Sequence, residues 1–173
     1  YYAQHIQTRI AALPEKEASG NLFAAALSDA DLSIQTAIEV ALLGTFPDLH
    51  FYGEEYEKTY NTKYLRSLEL SPDHYLVTLD PIDGTRFYLD GHDNYQILLG
   101  ILGWETFEGA IAISPAKNSF DYAIKGQGLH RGTLDQSLEG CRPVKMPSPN
   151  PKIFLGWSMD GARSYLPDNY DIA

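Results

Sequence analysis

The sequence predicts an α+β fold, with a mostly antiparallel sheet flanked by two N-terminal helices. The clearest helical periodicity of aliphatic residues lies before Gly44. From His50 onward the apolar runs are short, β-branched and bounded by Gly, Pro and Asp. Two of these runs are joined by Gly126-Gln127-Gly128, the composition of a hairpin turn. Helices followed by a run of strands is the α+β order.

The elements follow in turn. Residues 1–13 predict a helix, with Ile6 and Ile10 at i, i+4 and Pro14 ending it. Residues 14–21 are a polar loop. The second helix places Ile34, Ala37, Ile38, Ala41 and Leu42 on one apolar face. Ser28 suits its N-cap and Asp29 and Asp31 its first turn, where carboxylates meet free amides; Gly44 and Pro47 close it. His50–Tyr52 is a short strand, and residues 53–73 are polar and form a long loop or lid. Strands are predicted at Tyr75–Leu79, Tyr95–Leu102, Ala110–Ser114 (after a turn at Glu105–Gly109), Phe120–Ile124 and Leu129–His130. Pro143, Pro147, Pro149 and Pro151 read as a boundary. Residues 1–140 then form a metal-binding α+β domain, and 141–173 a linker and the start of an incomplete α/β domain, with Lys152–Gly156 its first strand.

Composition narrows the function. At 44% hydrophobic and 21% charged, the 173 residues can bury a core and are not disordered. The net charge is −10, and the 13 Lys and Arg form no basic stripe, which excludes binding of a nucleic-acid polymer. The longest apolar stretch, Ile97–Trp104, falls well short of the ~18 residues that span a bilayer, so no membrane partner is expected. With Cys141 alone no internal disulfide can form, and the N-terminus lacks a signal-peptide pattern, so a cytoplasmic setting is expected. The chain opens on Tyr1 rather than Met and reads as a piece of something longer.

The chemistry sits in Leu79-Asp80-Pro81-Ile82-Asp83-Gly84-Thr85. Asp80 and Asp83 lie in a predicted tight turn stiffened by Pro81, which aims both carboxylates at one point. Carboxylates crowded together repel and need a cation to stay ionised. All-oxygen donors suit Mg²⁺ or Ca²⁺ rather than Zn²⁺. Gly53-Glu54-Glu55 offers Glu54 as a third carboxylate, while Glu55 is expected to face solvent or a structural partner. Read alone, Asp-Pro-x-Asp-Gly is also an ordinary β-turn composition.

The ordered set of Ser28-Asp29-Ala30-Asp31 at a helix start, Gly53-Glu54-Glu55 at a strand end, and Asp80-Pro81-Ile82-Asp83-Gly84-Thr85 resembles the inositol monophosphatase superfamily over about residues 24–132. Lys125-Gly126-Gln127-Gly128-Leu129 resembles the family's usual hairpin. The resemblance implies a layered α/β/α sandwich, here with its second domain truncated. It implies a Mg²⁺-dependent phosphomonoesterase with two or three ions in a complete site, acting on a small phosphorylated metabolite through an activated water. Glu54, Asp80 and the Ile82 carbonyl would hold one Mg²⁺; Asp80 would bridge to a second, shared with Asp83. Thr85, hydrogen-bonded to Asp31, would orient and help deprotonate the water, with Glu54 contributing to catalysis. Asp83 and the amides of Gly84 and Thr85 would receive the phosphate.

Departures from the family pattern also carry information. Arg86-Phe87-Tyr88-Leu89-Asp90-Gly91 is more similar to the bisphosphate-nucleotidase branch than to the inositol branch. Inositol monophosphates, 3′(2′),5′-bisphosphate nucleotides and fructose bisphosphate remain alternatives. The family's downstream metal-binding Asp, in a Trp-Asp-x-Ala segment, has no counterpart before Ala173; Trp157-Ser158-Met159-Asp160 comes too early, and Asp160 takes no role. By itself the chain is therefore expected to be a poor enzyme, with part of its sheet uncovered, and to form a homodimer through that surface if it is the whole protein. The rival reading is a catalytically impaired fragment or a non-catalytic metal-binding or assembly module. Gly126-x-Gly-x-x-x-Gly132 is a hairpin rather than a dinucleotide loop, Gly156-Trp157-Ser158 fails the nucleophile-elbow pattern, the five histidines lack ligand spacing, and Tyr52, Tyr56, Tyr60 and Tyr64 form a packed helical face.

Overall fold

The computed structural model describes residues 1–9, 28–47, 49–55, 72, 74–145, 152–153 and 171–172. The polar loop at 14–21, most of the 53–73 loop with Tyr56, Tyr60 and Tyr64, the prolines 147–151 and Asp160 lie outside the described residues.

The chain opens with helix α1 (Tyr2–Ile6), which tightens into a 3₁₀ turn at Gln7–Arg9. Ile10 and the rest of the predicted 1–13 helix lie outside the described residues. Helix α2 (Asp29–Thr45) begins at Ser28 as expected. Strands β1 (His50–Gly53) and β2 (Leu76–Asp83) pair in parallel, His50 opposite Leu76. The short helix α3 (Thr85–Leu89) follows. Then β3 (Gln96–Leu102), β4 (Phe107–Ser114), β5 (Ser119–Ile124), β6 (Gly128–Thr133) and β7 (Arg142–Pro143) run as an antiparallel meander. The seven strands form one sheet in sequence order. Gly126 and Gly128, at φ +78° and +81°, turn β5 into β6 as their composition requires. Outside this sheet, β8 (Lys152–Ile153) pairs in parallel with β9 (Asp171–Ile172). Among the described residues no helix is long and apolar enough to cross a membrane.

Two apolar clusters join helices to sheet. Phe51, Val77 and Leu79 pack beneath Ile38 and Leu42 of α2. Ala3, Ala30, Ile34, Ile82, Tyr88 and Tyr95 gather α1, α2 and α3 at one end of the sheet. Alternation along the strands puts Val77 and Leu79 on the helix side and Thr78 and Asp80 on the other. The expected inner face of α2 is corrected here: Ala37 and Ala41 are exposed, while Asp31, Gln35 and Glu39 are buried together with Ile34. Gln35 occupies the space that a Cβ on Gly53 would fill. Its Oε1 accepts the Glu55 amide at 2.9 Å, so the helix turns a polar stripe toward the end of β1. Glu55 is 2% exposed, which settles its two expected orientations in favour of the interior.

The predicted tight turn at Asp80–Gly84 is also corrected. β2 continues through Asp83, with Asp80 opposite Leu98 and Asp83 opposite Gln96. Three steps on β2 therefore match two on β3, a bulge that re-aims the side chains between them. Pro81 lies past the last β1–β2 partner, Leu79, where its missing N–H breaks no ladder bond to β1.

Candidate active site

Three chain segments meet where α2 begins, β1 ends and β2 runs into α3. The Asp31 carboxylate closes the N-terminus of α2. Its Oδ2 accepts Ser28 N at 2.8 Å and Ser28 Oγ at 2.5 Å. That reciprocal cap holds the side chain in one orientation and leaves Oδ1 for a partner across the structure. The partner is Thr85, 54 residues on, whose Oγ1 lies 3.1 Å from Asp31 Oδ1 and 2.9 Å from the Ile82 carbonyl. The hydroxyl has one hydrogen, so it donates to one of the two acceptors at a time. Asp31 is fully buried and Thr85 7% exposed. Burial raises the Asp31 carboxyl above its ordinary range; the Ser28 and Thr85 hydrogen bonds oppose this, and the Glu54 charge adds to it. A carboxylate so placed is a stronger base than one in water.

Gly84 lets β2 turn into α3. It sits at φ +88°, and a Cβ there would come within 3.0 Å of the Asn94 carbonyl oxygen. The first amides of α3, from Thr85 onward, have no intrahelical acceptors and point out of the helix start.

Asp80 sits against Glu54. Burial comes first among the causes that push its carboxyl up to about 8, followed by the charge and hydrogen-bond contact of Glu54 and the charges of Asp83 and Asp31. Asp80 Oδ1 is buried without a hydrogen-bond partner. A crowded carboxylate with an unused oxygen must hold a proton or face a cation. The donors at hand are carboxylate and carbonyl oxygens, which fit a hard dication such as Mg²⁺. Among the described residues no three His, Cys, Asp or Glu side chains stand close enough together to close round an ion. Asp80 is thus the centre of pairwise approaches by Glu54, Asp83 and Asp31, with Glu54 and Asp83 themselves exposed.

A cleft of about 540 Å³ opens at Glu54 and Asp80 and runs across the sheet over Gly100, Ala110, Ala112 and Ala123. Sequence reasoning missed Gln35, which braces the Gly53–Glu55 corner; its position one helical turn after Asp31 was the available signal.

The state of Asp80 gives a first expected result. In the metal-free folded chain burial and the Glu54 charge push this carboxyl up to about 8, whereas in the unfolded chain it titrates near ~3.9. Between these values the folded state binds more protons, so this group's contribution to stability falls as pH rises. The gain in melting temperature from millimolar Mg²⁺ over EDTA should therefore be larger at pH 8 than at pH 5. Scanning calorimetry at both pH values checks it, and an equal gain would mean that Asp80 does not hold the ion.

A family model described as the inositol monophosphatase family matches residues 4–152. Among solved structures, the Thermotoga maritima IMPase superposes with a TM-score of 0.66 at 18% identity, covering 92% of this chain and 56% of that one. A staphylococcal inositol monophosphatase-1 in a LiCl-soaked inhibitory complex gives 0.63 at 18%, over 87% and 50%. An IMPase/NADP phosphatase complexed with Mg²⁺ and phosphate gives 0.63 at 18%, over 93% and 56%. At such identities the likeness is one of fold. A curated Streptomyces griseus protein named glucose-1-phosphate thymidylyltransferase is 26% identical over 122 residues, covering 70% of this chain and 44% of that one. The chain spans about half the length of the solved relatives and less than half of that curated one.

Proposed function

The chain belongs to the inositol monophosphatase family, and on that premise we propose that it supplies the metal-binding half of a Mg²⁺-dependent phosphomonoesterase acting on a small phosphorylated metabolite. The observation that carries the reading is the Thr85–Asp31 hydrogen bond, made between segments 54 residues apart at the edge of the Asp80 cluster. An inositol monophosphate or a 3′(2′),5′-bisphosphate nucleotide is the substrate proposed, in a cytoplasmic setting.

Glu54, Asp80 and the Ile82 carbonyl would hold one Mg²⁺, and Asp80 with Asp83 a second. Bound there, the ions would neutralise the carboxylates toward an anionic substrate and make water a better nucleophile at neutral pH. The chain's own residues do the rest. Thr85 Oγ1 accepts a hydrogen from the attacking water while donating its own toward Asp31 Oδ1. Asp31 is fitted to receive that proton because burial raises its affinity for one. A ligand on the Ile82 carbonyl would leave Asp31 as the acceptor for the Thr85 hydroxyl. The amides of Gly84 and Thr85 offer hydrogen bonds to the phosphate oxygens, and Asp83 borders them. Water oxygen bonds to phosphorus, the ester P–O bond breaks, and the leaving alkoxide takes a proton from solvent.

The test is release of inorganic phosphate from inositol monophosphates, 3′(2′),5′-bisphosphate nucleotides and fructose bisphosphate at millimolar Mg²⁺. The 173-residue chain is run beside a version extended to the length of its relatives. Mg²⁺-dependent turnover by the extended protein, with little or none by the short chain, is the expected result. No turnover by either would favour the non-catalytic metal-binding module.

A further inference from the structure

Helix α3 has five residues, too few to be stable alone, yet it carries Thr85. Its N-terminal end is tied to α2 through the Thr85–Asp31 bond. Its C-terminal end is tied to the start of the chain. Gln7 Nε2 donates to the Tyr88 carbonyl at 3.0 Å and to the His92 carbonyl at 2.8 Å, bridging the last turn of α3 and the segment after it. In return the Tyr88 hydroxyl donates to the Ala3 carbonyl at 2.7 Å. Tyr88 is fully buried, and its ring meets Tyr95 edge-on with centroids 4.8 Å apart. Tyr88 follows Thr85 by three residues, so both lie on one side of the helix.

We propose that Gln7 and Tyr88 are positioning residues that clamp α3 between the N-terminal segment and the sheet, and so hold Thr85 in register with Asp31. This rests on the phosphatase reading above for its catalytic consequence, but not for the clamp itself. The carbonyls bridged by Gln7 have another source of hydrogen bonds. Gly91 N donates to the Tyr88 carbonyl at 3.1 Å, and His92 is exposed to water. Losing the amide therefore leaves no stranded group. What is lost is the tether, so the effect should fall on the placement of α3 rather than on global stability.

Three variants of the full chain test this. Gln7→Met keeps length and removes both donors. Tyr88→Phe keeps the ring and removes the hydroxyl. Gln7→Lys returns hydrogen-bond donors to this position. Hydrogen exchange at the hydrogen-bonded amides of Tyr88, Asp90, Gly91 and His92 should quicken about tenfold in Gln7→Met and Tyr88→Phe, and return toward wild type in Gln7→Lys. In the extended, active protein, kcat should fall about tenfold with KM within about twofold, because a misplaced hydroxyl is costly to chemistry and not to binding. Unchanged exchange at Tyr88, Asp90, Gly91 and His92 in both donor-deleting variants would overturn the clamp. Quickened exchange with unchanged kcat in an active wild type would overturn its positioning role. If the wild type has no turnover, the phosphatase reading fails and exchange alone decides the clamp.

Discussion

Replacing Asp80 with asparagine should abolish Mg²⁺-dependent phosphate release by the extended protein while raising the melting temperature of the metal-free protein at pH 8. The two effects have one cause. Asp80 is pressed by burial and by the charges of Glu54, Asp83 and Asp31, so its ionised form is disfavoured until about pH 8. Asparagine has nearly the same shape and no charge to repel its neighbours. It also lacks the anionic oxygen on which two proposed ion positions depend, so turnover should fall by about 10³-fold or more. For a chain of this size, each kcal/mol of relieved repulsion is worth about 2–4 °C. The gain should shrink toward pH 5, where Asp80 is protonated and already uncharged. Melting curves of both proteins in EDTA at pH 5 and 8, with a phosphate-release assay, check it. An asparagine variant no more stable than wild type at pH 8 would mean that Asp80 is not under charge repulsion in the folded chain.

Thr85→Val should lower kcat by about 10²–10³-fold in the extended protein and leave KM nearly unchanged, the range lost when a positioned proton acceptor is removed. Valine keeps the branched shape that packs at this 7% exposed position. It removes the hydroxyl that reaches both Asp31 Oδ1 and the Ile82 carbonyl. Asp31 would keep its two bonds from Ser28, so the start of α2 should survive. The buried Oδ1 would lose its partner at a stability cost of about 1–3 kcal/mol. Thr85→Ser restores the hydroxyl and should recover most of the turnover. If valine and serine variants turn over alike, the hydroxyl has no part in activating water.

How much of this was legible beforehand depended on how local the physics was. Ser28 and Asp31 lie three residues apart, and their cap is a property of that short stretch; it formed as the sequence predicts. The Gly126–Gly128 hairpin is equally local, set by two glycines at positive φ. The mostly antiparallel sheet was readable because the apolar runs follow one another over short connections, which favour pairing of neighbours along the chain. The site residues came from ordered motifs and family resemblance, not from any single turn.

Other features had no local cause. The inner face of α2 was expected to follow its apolar residues, yet Gln35 and Glu39 turned inward. That choice depends on the bare Gly53 backbone and on the Glu55 amide, 20 residues from Gln35, which accept its side chain. The Asp80–Asp83 run was expected to turn, and instead it stayed in β2 with a bulge. Whether Pro81 breaks a strand depends on whether a neighbour needs its N–H, and β1 has already ended there. The sequence by itself determined which groups could do the chemistry and in what order they come. Only the tertiary structure decided that Thr85 lies 3.1 Å from Asp31, that burial and the neighbouring carboxylates push the Asp80 carboxyl up, and that Gln7 and Ala3 are bonded to Tyr88 of α3. Those three properties are set by burial and by contacts between segments far apart in sequence, which spacing along the chain does not encode.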